Sequence, residues 1–215
     1  MKLVWSPESA SKAYIDTVKS CELHQGSGVA ELLSAMAAGW NAKLIVETWS
    51  QGGRIPTSIG LAIAARHTGA RHVCIVPDQR SRVAYIDAIS STITAPEIIV
   101  GDPEEVMTEL DSIDFLVVDS GRKDFTRFLR LARLSQRGAV LVCKNAGGGK
   151  TASCGFKWRG VLDSGKRVVR TAYLPVGEGI DMAHVAGTGS SSANKRRWVK
   201  HFDHITGEEH LIRTT

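Results

Sequence analysis

LIVETWSQGGRIPTSIGLAIAARHTGARHVCIVPD, residues 44–78, is the stretch that decides the fold. It opens with an apolar run that ends in Glu47, passes through a polar turn containing the pair Gly52-Gly53, and continues as a helix. A second apolar run follows and ends close to Asp78. This order of strand, glycine turn, helix, strand and acid is typical of a dinucleotide-type βαβ unit.

A unit of this kind favours a nucleoside ligand at the carboxyl ends of its strands. Backbone N–H groups of the glycine turn can face such a ligand, and the second acid can accept hydrogen bonds from ribose hydroxyls. The full G-x-G-x-x-G spacing of dinucleotide-binding proteins is absent, so the motif indicates the ligand without establishing it.

The sequence on either side extends this unit into a larger α/β sheet. Ser6 and Pro7 open a first helix as N-cap and first helical residue, and residues 26–39 supply a second. Later patterns predict helices at 81–89, 104–110 and 125–134 and strands at 97–100, 114–118 and 139–143. Five strands that alternate with helices predict a parallel sheet covered on both faces.

The pattern changes after the fifth strand. Residues 166–176 and 180–186 read as two strands joined by a tight glycine-containing turn, which predicts an antiparallel hairpin at one end of the sheet.

Length and composition indicate one domain with a tail. A chain of 215 residues with 43% hydrophobic content can bury one substantial core. We predict a domain over residues 1–186, followed by a Gly/Ser-rich linker and a basic tail over residues 187–215. The tail has too few apolar residues to fold alone, and Trp198, Phe202 and Ile205 are the residues that would dock it.

The net charge of +5 suits an anionic partner, but part of the excess lies in the tail, at Lys195, Arg196, Arg197 and Lys200. We interpret it as a solvated surface and do not expect nucleic acid as a partner.

Cysteine usage and the apolar runs indicate a compartment. Cys21, Cys74, Cys143 and Cys154 show no C-x-x-C spacing, so we predict reduced thiols. The first residues lack the apolar core of a secretory signal, and no run reaches the roughly 18 apolar residues of a membrane span. These features predict a cytoplasmic protein without a membrane partner and leave the nucleus open.

Polar residues and glycines collect where the predicted strands end, which is where ligands bind in sheets of this kind. They are Glu47, Asp78, Gly101, Asp102, Asp119, Lys144 and Asn145.

The order of these residues, together with LPVGEG at residues 174–179, resembles the class I S-adenosylmethionine-dependent methyltransferases. Within that class the chain is similar to the small O-methyltransferases that act on catechols and caffeoyl-coenzyme A. More narrowly it resembles a plant family of uncharacterised methyltransferase-like proteins. The resemblance covers about residues 24–186, and its most specific signals are IDFLVVDSGRKDF (residues 113–125) and LPVGEG.

The resemblance implies a Rossmann-like, doubly wound, mostly parallel seven-stranded sheet with an antiparallel C-terminal hairpin, and S-adenosylmethionine as cofactor. The cofactor-binding residues that it implies are Glu47, Gly52, Gly53, Asp78, Gly101, Asp102 and Asp119. Of these, Asp78 would hold the ribose hydroxyls and Gly101-Asp102 would lie at the adenine edge. Asp119, Lys144 and Asn145 are the implied catalytic residues.

Departures from that family concern its metal and its base. Metal-dependent members ligate a divalent cation through an aspartate after strand four and an Asp-Asn pair after strand five, whereas here Lys144 takes the second aspartate's place. The lysine that serves as general base in the family is Arg122, which stays protonated at physiological pH. We therefore predict no metal site. Because strands four and five would be neighbours, we expect the Lys144 ammonium to pair with Asp119 where the cation would lie, with Asn145 completing the hydrogen bonding.

Two classes of function stay open. One is a metal-independent S-adenosylmethionine-dependent methyltransferase with a small-molecule acceptor, in which alignment supplies most of the acceleration. The other is a catalytically degenerate methyltransferase fold that acts as a binding or regulatory module, since residues 48–51 put bulk where the family has glycine. The sequence does not identify the acceptor, and it leaves a homodimer open.

Overall fold

Seven strands form the central sheet of the structure, a computed structural model that describes residues 5–22, 28–89, 96–147, 157–163, 165–187, 198–202 and 209–213. In chain order they are β1 (Leu44–Thr48), β2 (Arg71–Val76), β3 (Glu97–Val100), β4 (Phe115–Asp119), β5 (Gly138–Lys144), β6 (Val168–Leu174) and β7 (Ile180–Ala186). Their spatial order is β3-β2-β1-β4-β5-β7-β6. The first five strands are parallel, and β7 is antiparallel to both β5 and β6. The predicted seven-stranded, doubly wound sheet with an antiparallel C-terminal hairpin is confirmed.

Helices connect the strands, and all but the last of them stand at predicted places. They are α1 (Pro7–Cys21), α2 (Gly28–Gly39), α3 (Pro56–Thr68), α4 (Gln79–Ile89), α5 (Pro103–Glu109), α6 (Phe125–Leu131) and α7 (Trp158–Val161). Ser6 caps α1 as predicted, since its side chain accepts a hydrogen bond from the Ser9 N–H. Helix α6 ends three residues before its predicted end because Ala132 turns to an extended conformation (ψ 125°). Within the described ranges no helix is long and apolar enough to cross a membrane.

The two faces of the sheet carry separate cores. Ile45 and Phe115 face helices α1 to α4, whereas the adjacent residues Val46 and Leu116 face α5, α6 and α7. This alternation follows from the pleat of a strand, and burial on both faces explains the near-continuous apolar runs of β1, β4 and β5. The helices thus cover both faces and leave the carboxyl ends of the strands for a site.

The tail contains a hairpin that the sequence analysis did not predict. Strands β8 (Trp198–Phe202) and β9 (Glu209–Arg213) pair as an antiparallel hairpin, with Trp198 opposite Arg213 and Phe202 opposite Glu209. The expectation that the tail cannot fold alone stays a prediction, because an isolated two-stranded hairpin is only marginally stable in water. Backbone pairing between neighbouring strands is local and does not require a large core. Residues 188–197, which include Lys195, Arg196 and Arg197 of the basic cluster, and Ile205 lie outside the described residues.

Three cysteines have the state predicted for them. Cys21, Cys74 and Cys143 are free and buried, while Cys154 lies outside the described residues. Burial raises the pKa of the Cys21 thiol to about 11, so it stays protonated at neutral pH.

Candidate functional site

A cavity of about 210 Å³ lies at the carboxyl ends of β1, β4 and β5. Its wall contains five of the residues predicted for the site, namely Gly52, Gly53, Asp119, Lys144 and Asn145. The remainder of the wall comes from helix α2, the start of α3 and the turn after β6, and comprises Val29, Arg54, Pro56, Thr57, Gly177 and Glu178. The switch in strand order between β1 and β4 falls at this place, where sheets of this kind bind ligands.

The glycine turn leads directly into helix α3. Gly52 has φ +85°, a left-handed conformation that side chains with a Cβ rarely adopt. Ile55 occupies the N-cap position of α3 and makes no side-chain capping hydrogen bond. The positive end of the α3 dipole therefore reaches the cavity wall at Thr57 without a side-chain cap.

Lys144 is the last residue of β5 and is only 5% exposed, yet it lines the cavity. It stands beside Asp119 in the register of β4 and β5. The predicted ion pair between these two residues is nevertheless not formed, and the side chain of Lys144 makes no hydrogen bond or ion pair with any residue that the structure describes. Its charge instead acts on Glu47, whose carboxylate lies deeper in the core.

Asp119 is held by neutral donors. Nδ2 of Asn145 donates to both carboxylate oxygens of Asp119 at 3.0 Å, and the Gly121 N–H donates to Oδ1 at 2.9 Å. Asn145 has φ 61°, a left-handed backbone conformation that asparagine tolerates better than most residues. The expected hydrogen bonding between Asn145 and Asp119 is thus confirmed, and it explains why Asp119 does not require the lysine as a partner.

Glu47, in β1, is fully buried and is not part of the cavity wall. Its carboxylate accepts hydrogen bonds from the hydroxyls of Ser58 (2.9 Å) and Tyr85 (3.0 Å), and it contacts Nε2 of His72 at 3.1 Å. Burial alone would raise the pKa of this carboxyl, but the His72 hydrogen bond and the charges of His72 and Lys144 outweigh burial and lower it. We predicted Glu47 as a cofactor contact, whereas the structure encloses its carboxylate in the core.

Asp78 and Asp102 lie outside this cavity and begin helices. Oδ1 of Asp78 accepts the Ser81 N–H at 2.7 Å, and this backbone hydrogen bond lowers the pKa of the Asp78 carboxyl. Asp102 is the N-cap of α5, and its Oδ1 accepts the N–H groups of Glu104 and Glu105. Both aspartates are exposed at the β2 and β3 end of the sheet, and Gly101 lies next to them.

Trp49 follows β1 and fills the space between the glycine turn and helix α4. Its indole is 4% exposed and packs edge-to-face on Tyr85, with ring centroids 5.2 Å apart. A Cβ on Gly53 would lie 2.8 Å from the indole nitrogen, so only glycine fits beside this ring. The indole N–H is buried without a hydrogen-bond partner.

Arg122, at the position of the family's base, is engaged in structural contacts. Its guanidinium donates to both carboxylate oxygens of Asp124 at 2.8 and 2.6 Å and lies 5.4 Å from the centre of the Phe128 ring. The hydrogen bond from Arg122 lowers the pKa of the Asp124 carboxyl. Arg122 therefore anchors the loop after β4.

The residues present do not fit a divalent cation. Among the described residues there is no group of three or more His, Cys, Asp or Glu side chains that could hold one. Asp119 and Asn145 offer oxygen atoms, but the ammonium of Lys144 lines the same cavity and repels a cation.

Sequence reasoning missed several parts of this site. Ser58, His72 and Tyr85 come from three different elements, and no spacing in the sequence indicates that they meet at Glu47. Arg54 and Glu178 are 124 residues apart and form an exposed ion pair of 3.4 Å beside the cavity. The one sequence signal for this network was His72, because an ionisable residue is unusual within a buried apolar run.

Comparison with known proteins relates the chain to one sequence family and to several solved structures. Residues 1–214 match the family described as "Protein of unknown function (DUF1442)". No curated protein sequence matches the chain.

Three solved methyltransferase structures illustrate the similarity of fold. SAH-bound PaMTH1 from Podospora anserina is 14% identical, with a TM-score of 0.55 over 84% of this chain and 89% of the other. A putative caffeoyl-CoA O-methyltransferase from Staphylococcus aureus is 13% identical, with a TM-score of 0.56 over 80% and 92%. TomG from Streptomyces achromogenes, in complex with S-adenosylmethionine, is 24% identical, with a TM-score of 0.52 over 86% and 92%. At these identities the similarity establishes the class I methyltransferase fold, and the narrower resemblance to a plant family stays a prediction.

Proposed function

The chain belongs to the DUF1442 family, described as proteins of unknown function, and we propose that it is an S-adenosylmethionine-dependent methyltransferase that acts on a small-molecule acceptor without a metal. The observation that carries the proposal is the cavity at the switch point of a methyltransferase fold, where the glycine turn, the uncapped start of α3 and Asp119 converge. Fold alone does not determine function, so the proposal depends on these residues.

The chain offers contacts for each part of the cofactor. The N–H groups of the glycine turn suit its carboxylate, and the exposed carboxylate of Asp78, whose Oδ1 accepts the Ser81 N–H, can also accept ribose hydroxyls. Asp102 likewise caps α5 through Oδ1. Two of the similar structures contain S-adenosylmethionine or S-adenosylhomocysteine (SAH). The bound cofactor would supply an activated methyl group.

The chain's own residues would orient the acceptor. Asn145 fixes the carboxylate of Asp119 at the cavity wall, and Lys144 places a positive charge beside it. Holding an acceptor atom in line with a methyl group is worth several kcal/mol of barrier and requires no metal. Oligomeric state, compartment and the boundary at residue 186 stay predictions.

The binding-module alternative has one observation in its favour. Trp49 packs against Gly53 and Tyr85, between the glycine turn and the helix that Asp78 caps, and a nucleoside bound there would have to displace it or lie over it. Failure to bind the cofactor would make this alternative the better description.

The first prediction is that calorimetry will detect binding of S-adenosylmethionine and SAH, and that Asp78→Ala will weaken it by about 1–3 kcal/mol, because one partner of the ribose hydrogen bonds is lost. Asp78→Asn keeps a capping side chain and separates this loss from fraying of α4. Asp111→Ala, an exposed acid elsewhere, should bind like wild type. Absence of heat and of any thermal shift at millimolar SAH would refute the cofactor assignment.

The second prediction concerns metals. Titration with Mn²⁺, followed by electron paramagnetic resonance, should detect no site that depends on Asp119, because the Lys144 ammonium repels a cation there. SAH binding and any methyl transfer should persist in excess chelator. Bound Mn²⁺ that is lost in Asp119→Asn would contradict metal independence.

A further inference from the structure

Lys144 is a buried cation without a contact partner among the described residues. An ammonium group withdrawn from water needs an anion and hydrogen-bond acceptors to offset its lost hydration. Glu47 balances part of the charge at a distance, but the Glu47 carboxylate already has Ser58, Tyr85 and His72 as partners. The ammonium therefore retains its capacity to bind an anion in the cavity.

A second feature of the same cavity also favours an anion. Helix α3 has 13 residues, begins at the cavity and has no side-chain cap at Ile55. The positive end of its dipole and its first-turn N–H groups suit a negatively charged ligand. Lys144 and the start of α3 come from separate elements, so they are independent observations.

Charge and size restrict that anion. Arg54 and Glu178 on the same wall pair with each other, which leaves the Lys144 ammonium to balance one negative charge, and Asp119 would repel a dianion such as a phosphate monoester. A volume of about 210 Å³ is also below the roughly 300–1,000 Å³ of pockets for drug-sized ligands. A small monocarboxylate fits both conditions.

We propose that Lys144 and the start of α3 bind the carboxylate of the methyl acceptor, so that the acceptor class is a small carboxylic acid. This inference depends on the proposed methyltransferase function. Lys144 ends β5, whereas the acids suited to the nucleoside, Asp78 and Asp102, follow β2 and β3 on the other side of the switch point. The lysine therefore lies in the half of the site that remains for a second substrate.

The chemistry of a carboxylate matches the residues of this site. A carboxylic acid is already ionised at neutral pH, so it does not require a general base, and Arg122 cannot act as one. One carboxylate oxygen forms a bond to the methyl carbon of the sulfonium donor, and the carbon–sulfur bond breaks with its electron pair left on sulfur. The products are a methyl ester and SAH, and no proton has to be removed. Lys144 is a positioning and binding group in this reaction.

The test measures binding of acetate and benzoate, each compared with its neutral amide, by calorimetry and ligand-observed NMR in the presence and absence of SAH. Wild type should bind the acids and not the amides. Lys144→Met should weaken acid binding at least tenfold, and Lys144→Arg should retain most of it. Lys123→Met removes an exposed charge from the loop after β4, outside the cavity wall, and should behave like wild type. Incubation of wild type with S-adenosylmethionine and benzoate should yield methyl benzoate.

Binding of SAH and of methylthioadenosine, which lacks the amino-acid part, identifies the carboxylate that Lys144 holds. If Lys144→Met leaves SAH binding unchanged while acid binding is lost, the proposal is supported. If it weakens SAH but not methylthioadenosine, the lysine holds the cofactor's own carboxylate and the proposal is overturned. Equal binding of acids and amides also overturns it. If SAH does not bind wild type but the acids bind through Lys144, the methyltransferase function fails while the anion site is supported.

Discussion

Replacing Glu47 with alanine is expected to lower the free energy of unfolding by about 3–5 kcal/mol, the range for removing one partner from a buried charged network. The change leaves the hydroxyls of Ser58 and Tyr85 without their buried acceptor. It also removes the negative charge that faces Lys144 and the acceptor that contacts Nε2 of His72. Urea unfolding followed by circular dichroism measures the effect.

Glu97→Ala is the matched control. Glu97 forms an exposed ion pair with Arg71 at 2.7 Å, and surface pairs of this kind contribute about 0–1 kcal/mol. If Glu47→Ala unfolds at the same urea concentration as Glu97→Ala, the buried network adds little stability.

The pH dependence gives a second measurement of the same network. The pKa of Glu47 is lowered in the folded protein, so its contribution is complete above the unfolded pKa of about 4.3 and is lost as the pH falls through the folded value. The stability difference between wild type and Glu47→Gln should therefore be constant at neutral pH and shrink in acid. A difference that grows in acid would contradict an ionised Glu47.

Replacing Trp49 with alanine should have two large and opposite effects. Loss of a buried indole costs about 3–5 kcal/mol of stability. At the same time the substitution removes the ring that packs between Gly53 and Tyr85, and SAH binding should tighten at least tenfold if that ring must move for the nucleoside to enter. The apparent affinity of a protein is reduced by the fraction of molecules in the competent state, and removing the obstruction restores that fraction.

Trp49→Phe is the milder substitution because it keeps an aromatic ring in the core and so removes less buried volume. Its SAH affinity should lie between those of wild type and Trp49→Ala, as measured by calorimetry below the unfolding temperature of each protein. Weaker SAH binding by both variants would mean that the indole itself contacts the ligand, and the obstruction hypothesis would be abandoned.

Local patterns were sufficient to predict the fold. The βαβ unit of residues 44–78 and the alternation of later runs predicted each strand of the sheet, because burial on both faces produces apolar runs that the sequence displays directly. Helix ends were less accurate: α6 stops at Leu131 because of the backbone conformation of Ala132, which its apolar periodicity does not reveal. The hairpin β8–β9 was missed because its strands pair locally without a strong apolar pattern.

The candidate site was predictable in position but not in its internal contacts. Strand ends indicated Asp119, Lys144 and Asn145, and all three line the cavity. For Asp119, the predicted hydrogen bond from Asn145 is present but the predicted ion pair with Lys144 is not. The strand register places both residues near Asp119, but it does not determine which side chain contacts the carboxylate. The enclosure of Glu47 depends on three side chains that tertiary packing brings together, and no motif in the sequence indicates that they meet.

The electrostatic link between Lys144 and Glu47 has an evolutionary consequence. A descendant that exchanged Lys144 for an acid would place a negative charge near a carboxylate that has no access to water. It would lose stability before it gained a new activity, so compensating mutations in the core would have to come first. Position 144 is therefore constrained by folding as well as by its place in the cavity wall, and the lysine would be favoured for stability even in a protein that made no chemical use of it.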